Sequence, residues 1–176
     1  MQIRSAETAG FCFGVERAVS LAEQTAKSCA SAVTLGPIIH NRHVVERFEA
    51  MGLCEIARAE DAQPGQTVVI RAHGIPVSEQ QTLAARGAKL VDATCPFVKK
   101  IHVIARQAEE AGRHLLIIGT PTHPEVTAIA SYSSDAHVFQ TAEALESWLT
   151  EAPGRRDLPF CMVSQTTGTQ KLWESC

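Results

Sequence analysis

The sequence has no excess of basic residues, and this excludes one large class of partners. Its 176 residues include 16 lysines and arginines against 19 aspartates and glutamates, for a formal net charge of −3. A protein that binds mainly nucleic acid needs enough cationic side chains to neutralise several phosphates. We therefore expect no nucleic acid partner, although a local pocket for a small anion remains compatible with this charge.

Long apolar runs are also missing. The longest aliphatic run is Leu115–Ile118, whereas a membrane-spanning helix needs about 20 apolar residues. The first residues lack the apolar stretch of a secretory signal. We therefore expect a cytoplasmic protein that does not enter a membrane.

The six cysteines contain no C-x-x-C pair, which argues against a zinc finger or a thioredoxin-like site. In a reducing compartment they are expected to be thiols or metal ligands rather than disulfides. We expect Cys29, Cys54 and Cys161 to be structural, and we predict no role for Cys176.

Aromatic residues make up only 5% of the chain, so a core must be mostly aliphatic. Short apolar runs alternate with segments of helical periodicity, which predicts an α/β fold with mostly parallel sheets. The predicted strands are Ala32–Ile39, Thr67–Ala72, Ala88–Asp92, His114–Gly119, Ala136–Gln140 and Pro159–Ser164. Helices are predicted after Gly14, before Gly52, between Pro96 and Gly112, and after an N-cap at Thr141.

This alternation indicates two small βαβ-type blocks, joined near Cys95–Pro96. The first block, residues 1–95, contains Cys12 and Cys95. The second block, residues 96–176, contains His123, Glu125 and Thr166.

Residues capable of chemistry follow five of the predicted strands. In open α/β sheets, ligands bind beyond the carboxyl ends of the strands. The residues that follow these ends are His40, His73, Cys95, His123 with Glu125, and Gln165 with Thr166. We expect them to converge on one face, although any one of these histidines alone is usually a loop residue.

Other roles remain open for two of these positions. Glu125 could instead stabilise the start of a helix, and Thr166 or Thr167 could instead cap the last helix. His43, His102, His114 and His137 are expected to be structural.

Two cysteines stand in contexts that favour reactivity. Cys95 precedes Pro96, a residue favoured at the first position of a helix, so its sulfur would lie at a helix N-terminus. Cys12 lies between Gly10 and Gly14, which let the backbone pass close to a bulky group. The alternatives are a buried core cysteine and a tight turn. The residues alone thus predict a thiol-bearing polar pocket with histidines, and its chemistry stays open between a metal centre and a cysteine nucleophile.

Six segments of the sequence together resemble the LytB/IspH family, the 4-hydroxy-3-methylbut-2-enyl diphosphate reductases of the non-mevalonate isoprenoid pathway. These segments occur in the family's order and cover the chain almost end to end. They are Gly10–Val19, Ile39–Val45, Arg71–Gly74, Asp92–Pro96, His123–Val126 and Ser164–Thr167.

The resemblance implies a 4Fe-4S cluster at the centre of three similar α/β blocks, with Cys12 and Cys95 as two of its ligands. It implies that the substrate is an allylic diphosphate, and that ferredoxin or flavodoxin donates the electrons. The implied roles of the other site residues are diphosphate binding by His40 and His73, lining of the same pocket by His123, proton delivery by Glu125, and orientation of the substrate hydroxyl by Thr166 with Gln165.

The chain also departs from the pattern of the family that it resembles. The chain resembles the first two-thirds of such a reductase, and nothing in it matches the third cysteine ligand or the Ser-x-Asn element of the family's last block. Two alternatives therefore accompany the reductase. One is a truncated, non-catalytic family member that binds an anion without a stable cluster, and the other is a thiol hydrolase built on Cys95, His123 and Glu125. Exposed block faces would favour self-association into a homo-oligomer.

Overall fold

The computed structural model describes residues 4, 6, 7 and 9–176. These residues form two separate parallel β-sheets with helices packed around them, which confirms the predicted α/β fold. Within the described ranges, none of the helices is both long and apolar enough to cross a membrane.

The first sheet contains four strands in the order β2-β1-β3-β4, and every neighbouring pair is parallel. Its strands are β1 (Val33–Leu35), β2 (Cys54–Ile56), β3 (Thr67–Ile70) and β4 (Lys89–Asp92). The helices of this half are α1 (Phe13–Ser28), α2 (Arg42–Ala50) and α3 (Val77–Ala85).

The second sheet contains three parallel strands in the order β6-β5-β7. Its strands are β5 (His114–Ile118), β6 (Ala136–Phe139) and β7 (Phe160–Ser164). The helices of this half are α4 (Pro96–Glu110), α5 (Pro124–Ala130), α6 (Ala142–Thr150) and α7 (Gln170–Ser175). The buried residues on both sheets are mostly aliphatic and alanine, as the scarcity of aromatics predicted.

All six predicted strands are present, but the first is shorter than expected. It ends at Leu35 because Gly36 adopts a φ of 68°, a left-handed conformation that breaks the extended backbone. The side chain of Arg71 covers this glycine, since a Cβ there would lie 2.5 Å from Nη1 of Arg71. The following turn remains buried and carries His40 toward the end of β3.

The two sheets are joined by polar contacts between α3 and the segment after α5. The backbone N–H of Val77 donates to Oγ of Ser131 at 3.0 Å, and Nε2 of Gln80 donates to the Tyr132 hydroxyl at 2.9 Å. One sheet is built before Cys95 and the other after it. We retain the division into blocks 1–95 and 96–176 as a proposal.

His102 on α4 is buried between the two halves. Its ring stacks on Tyr132 with 4.8 Å between centroids, and its Nε2 has no hydrogen-bond partner. A Cβ on Gly74 would lie 2.6 Å from the ring, so a glycine is required there both for this contact and for its φ of 75°. Burial lowers the pKa of His102 to about 4.

Acidification should therefore destabilise the fold through His102. Between pH 6.5 and 4 the unfolded chain binds a proton at this residue that the folded chain does not, so the free energy of unfolding falls as the pH falls. One such group contributes a slope of up to about 1.4 kcal/mol per pH unit. Urea unfolding of His102→Gln across this range should show a shallower pH dependence than the parent chain.

The control for this measurement is His43→Gln, because the His43 side chain is 93% exposed. It should leave the pH dependence unchanged. A slope in His102→Gln as steep as in the control would contradict the assignment.

Candidate functional site

The three histidines predicted at strand ends lie together. The ring centroids of His40 and His73 are 4.6 Å apart, those of His73 and His123 are 5.3 Å apart, and those of His40 and His123 are 6.0 Å apart. One ring nitrogen from each lies within 4.8 Å of the others. The parallel strands place these residues on one face, which confirms the expected convergence. Such a cluster can hold an oxyanion through N–H donors or a cation through ring nitrogens.

His73 is the most constrained of the three. Burial, together with the nearby His40, His123 and Arg71, lowers its pKa to about 4. Its Nδ1 is buried and has no hydrogen-bond partner. A neutral imidazole with an unsatisfied buried nitrogen fits a site completed by a polar ligand.

Cys12 and Cys95 face a shared hollow of about 540 Å³, which Thr166 also lines. Each cysteine is the N-cap residue of a helix, Cys12 of α1 and Cys95 of α4. The positive ends of two helix dipoles therefore lie at the hollow and favour negative charge there. Pro96 occupies the first turn of α4, as predicted.

The close approach of α1 to Cys95 depends on Gly14. A Cβ at this position would lie 2.4 Å from Sγ of Cys95, closer than any real contact allows. Arg17, one turn further along α1, donates from its guanidinium to the carbonyls of Thr94 at 3.2 Å and Asp92 at 3.3 Å. These contacts hold the start of α1 against the loop that carries Cys95.

Glu125 and Thr166 connect the hollow to the histidines. Glu125 is 1% exposed, and its carboxylate accepts hydrogen bonds from the backbone N–H of Thr166 at 2.6 Å and from Oγ1 of Thr166 at 2.8 Å. The Glu125 backbone N–H donates to Nδ1 of His123, the N-cap of α5, at 3.2 Å. Glu125 therefore contacts Thr166 at the hollow through its carboxylate and His123 in the histidine cluster through its backbone N–H.

The expectation that Thr166 or Thr167 caps the last helix is wrong. Thr169 caps α7, since its Oγ1 accepts from the backbone N–H of Leu172 at 3.2 Å. Gln165 uses its amide within the protein, accepting from Thr120 N–H at 3.1 Å and donating to Oγ1 of Thr167 at 2.7 Å. A role for Gln165 in substrate binding remains a prediction.

The other four cysteines lie outside the hollow. Cys29 contacts Thr67 and Ser31, and Cys54 is exposed on β2. Cys161 packs against the core beneath α4 and α5, and Cys176 packs against the opposite face of the second sheet. Among the described residues, two thiols line the hollow.

These observations fit two ligands of an iron–sulfur cluster. Such clusters are held by thiolates from separate loops, and here two thiols meet at one cavity under two helix N-termini. Phe13 and Phe97 form an apolar rim around it. An apolar surround controls solvent access to a metal centre.

Arg17 and Lys100 are the site residues that the sequence did not reveal. Lys100 lines the hollow and contributes a positive charge beside the thiols. Arg17 lies within the segment Gly10–Val19, but no pattern in the sequence indicates which backbone atoms its side chain reaches. The signal that could have revealed Arg17 is an arginine one helical turn after a glycine, at a position that is half-buried in the fold.

Gly14→Ala should test the contact between α1 and Cys95. Overpacking of this kind lowers the free energy of unfolding by about 1–3 kcal/mol. Combining it with Cys95→Ala, which removes the obstructing sulfur, should recover part of that loss, so urea unfolding should give non-additive effects. Ser20→Ala, on an exposed position of α1, should change stability little. Additive effects of Gly14→Ala and Cys95→Ala would contradict the contact.

Comparison with known proteins identifies relatives of the whole chain. The family model described as LytB protein matches residues 3–176. The 4-hydroxy-3-methylbut-2-enyl diphosphate reductase of Oleidesulfovibrio alaskensis is 44% identical, over 99% of this chain and 62% of that protein. The reductase of the same name from Aquifex aeolicus is 44% identical, over 96% of this chain and 58% of that protein.

Two solved structures share the fold. One is an (E)-4-hydroxy-3-methyl-but-2-enyl diphosphate reductase, described as the terminal enzyme of the non-mevalonate pathway, with 37% identity and a TM-score of 0.79 over 96% of this chain and 59% of that one. The other is the Plasmodium falciparum reductase, with 25% identity and a TM-score of 0.85 over 96% and 52%. The chain thus spans about 60% of the length of the curated relatives named above. The resemblance seen in the sequence is confirmed, and the chain belongs to the LytB family.

Proposed function

We propose that this chain carries the reductive dehydroxylation of 4-hydroxy-3-methylbut-2-enyl diphosphate to isopentenyl and dimethylallyl diphosphate. The observation that carries the proposal is the hydrogen bonding of the buried Glu125 carboxylate to Thr166, which lines the two-thiol hollow, while the neighbouring His123 belongs to the histidine cluster. In that arrangement Glu125 would act as a proton donor between one region suited to a metal centre and another suited to an anion.

The histidine cluster would bind the diphosphate. The free N–H groups of His40, His73 and His123 can donate to phosphate oxygens, and the unpartnered Nδ1 of His73 provides a buried atom for such a ligand. A bound dianion would favour protonation of His73, whose pKa burial and its neighbours lower to about 4, so binding would be accompanied by proton uptake. Anchoring the diphosphate would fix the position of the allylic end of the substrate.

Cys12 and Cys95 would hold the iron–sulfur cluster. When bound, a 4Fe-4S cluster would supply single electrons and a Lewis-acidic iron for the substrate hydroxyl. The electrons would come from ferredoxin or flavodoxin in a reducing cytoplasm. The overall change consumes two electrons and two protons: the allylic C–O bond breaks, a C–H bond forms, and the hydroxyl leaves as water.

Glu125 would deliver the proton that the leaving hydroxyl requires. Its Oε2 lies 2.8 Å from Oγ1 of Thr166, and Thr166 lines the hollow. A protonated Glu125 can pass its proton to Oγ1 while the Thr166 hydroxyl gives its own proton to the substrate oxygen. The Glu125 carboxyl at one end of this relay is almost completely buried, whereas Thr166 at the other end is exposed and lines the hollow.

The geometry does not favour the thiol hydrolase. Nδ1 of His123 accepts from the backbone N–H of Glu125, and the Glu125 carboxylate is engaged by Thr166. A cysteine nucleophile needs an imidazole that hydrogen-bonds the sulfur and a third group that orients this base. Nδ1 of His123 and the carboxylate of Glu125 are engaged by other groups, so Glu125 does not orient His123 as a base in the way that this alternative requires.

Cys95→Ser should abolish iron binding. After anaerobic reconstitution with iron and sulfide, the parent chain should retain iron and develop the brown absorption of a cluster, whereas the variant should retain little of either. Cys54→Ser is the matched control, because Cys54 is an exposed cysteine away from the hollow. Equal iron content in Cys95→Ser and Cys54→Ser would overturn the ligand assignment.

Glu125→Gln should lose turnover and keep its iron. Removing a general acid typically lowers a rate by about 10²–10⁴-fold, and the substitution leaves both cysteines in place. Turnover with a low-potential reductant should be measured beside the iron content of the same sample, with the exposed Glu110→Gln as control. Normal turnover in Glu125→Gln would remove its role as proton donor. A parent chain that holds iron without turnover would favour the non-catalytic alternative.

A further inference from the structure

A second group of metal-ligating atoms lies at the opposite end of the second sheet. His114 is the first residue of β5, His137 lies at the start of β6, and Asp135 directly precedes β6. One ligand atom from each of these side chains lies within 4.8 Å of the other two. No pattern in the sequence distinguishes His114 and His137 from structural histidines.

The backbone pairing of β5 and β6 fixes these side chains. Leu115 is aligned with Ala136, and the backbone N–H of Leu115 donates to the carbonyl of Asp135 at 3.0 Å. Nε2 of His137 lies 2.7 Å from one carboxylate oxygen of Asp135, and Nδ1 of His114 contacts the other. Two imidazoles therefore point at the same carboxylate from neighbouring strands.

A surrounding shell orients this group. Glu109 accepts hydrogen bonds from Oγ of Ser133 at 2.9 Å and from N–H and Oγ of Ser134 at 3.0 and 2.7 Å. The backbone N–H of Asp135 donates to Oγ of Ser133 at 3.2 Å. On the other side, the His137 ring packs on Trp148 with 4.5 Å between centroids. Hydrogen bonds and ring packing of this kind orient the ligands of metal sites.

We propose that His114, Asp135 and His137 form a binding site for a divalent transition-metal ion of the zinc class. Two imidazole nitrogens and a carboxylate are a donor set used by zinc, and three protein ligands leave one position for water. The ligand side chains are 28, 47 and 32% exposed in chain order, and a hollow of about 220 Å³ adjoins His114 and Asp135, so an ion and its water have access.

The ion would replace the protons now shared between the rings and the carboxylate. Each imidazole would bind it through the nitrogen that faces Asp135 and keep a proton on its other nitrogen. The charge around the site is compatible with this exchange, since Asp135 and Glu109 outnumber Arg113 on the same hollow. The ion would link the starts of β5 and β6, at the end of the sheet away from Glu125.

Trp148 provides a local probe for the test. The chain has two tryptophans, so Trp173→Phe leaves Trp148 as the only one. Cobalt(II) added to this metal-free, reduced chain should quench the Trp148 fluorescence saturably with one ion per chain, and zinc should reverse the quenching by competition. Absence of saturable quenching would overturn the proposal.

Variants in the same background separate this site from the histidine cluster. His137→Phe keeps an aromatic ring against Trp148 but removes the ligand nitrogen, and it should weaken cobalt binding on the order of tenfold or more. Asp135→Asn should cause the same loss, with circular dichroism confirming that both variants fold. His123→Gln should leave the quenching unchanged. Quenching that survives His137→Phe and Asp135→Asn, or that disappears in His123→Gln, would contradict the site.

Discussion

The contact between Gly14 and the sulfur of Cys95 is the constraint on which the candidate site depends. It brings the N-termini of α1 and α4 to one hollow, although their cysteines are far apart in the sequence. No side chain larger than hydrogen fits at residue 14 unless the sulfur moves, and Arg17 fixes the approach through two backbone carbonyls. The relative position of the two thiols is therefore set by the packing of the backbone around them. The presence of two cysteines in the sequence does not by itself determine that position.

The sequence predicted the elements whose determinants are local. Apolar runs and periodicity located six strands, and the N-cap at Thr141 is confirmed, with its Oγ1 accepting from Ala144 N–H. The rule that strand ends converge in a parallel sheet predicted that His40, His73 and His123 lie together, as they do. This part was predictable because a parallel sheet fixes the direction of each strand, and hence the edge at which its last residue lies.

The features that the sequence did not predict depend on non-local contacts or have weak patterns. Strand β2 is a three-residue edge strand without a buried side chain, and α3 buries only Leu83, so neither has the periodicity that would reveal it. The Arg17 guanidinium and the side-chain carbonyl of Gln165 each contact a backbone group that lies tens of residues away in the sequence. The cluster of His114, Asp135 and His137 depends on the register of β5 against β6. An apolar pattern indicates which face of a strand is buried, but it does not give the alignment of that strand with its neighbour.

Electrostatics explains how an acidic chain can offer sites to two kinds of negative group. At the hollow, the positive ends of α1 and α4 and the Lys100 side chain lie beside the two cysteines, so a negatively charged group bound there would be stabilised. At the histidine cluster, burial and mutual repulsion keep His73 neutral, so no fixed positive charge is buried there without a counterion. Imidazoles are suited to this task because they can gain a proton when an anion arrives and lose it when the anion leaves. The buried Glu125 lies between these regions, since its carboxylate accepts from Thr166 beside the hollow and its backbone N–H donates to Nδ1 of His123, so the proposed proton donor is held in place by contacts to both.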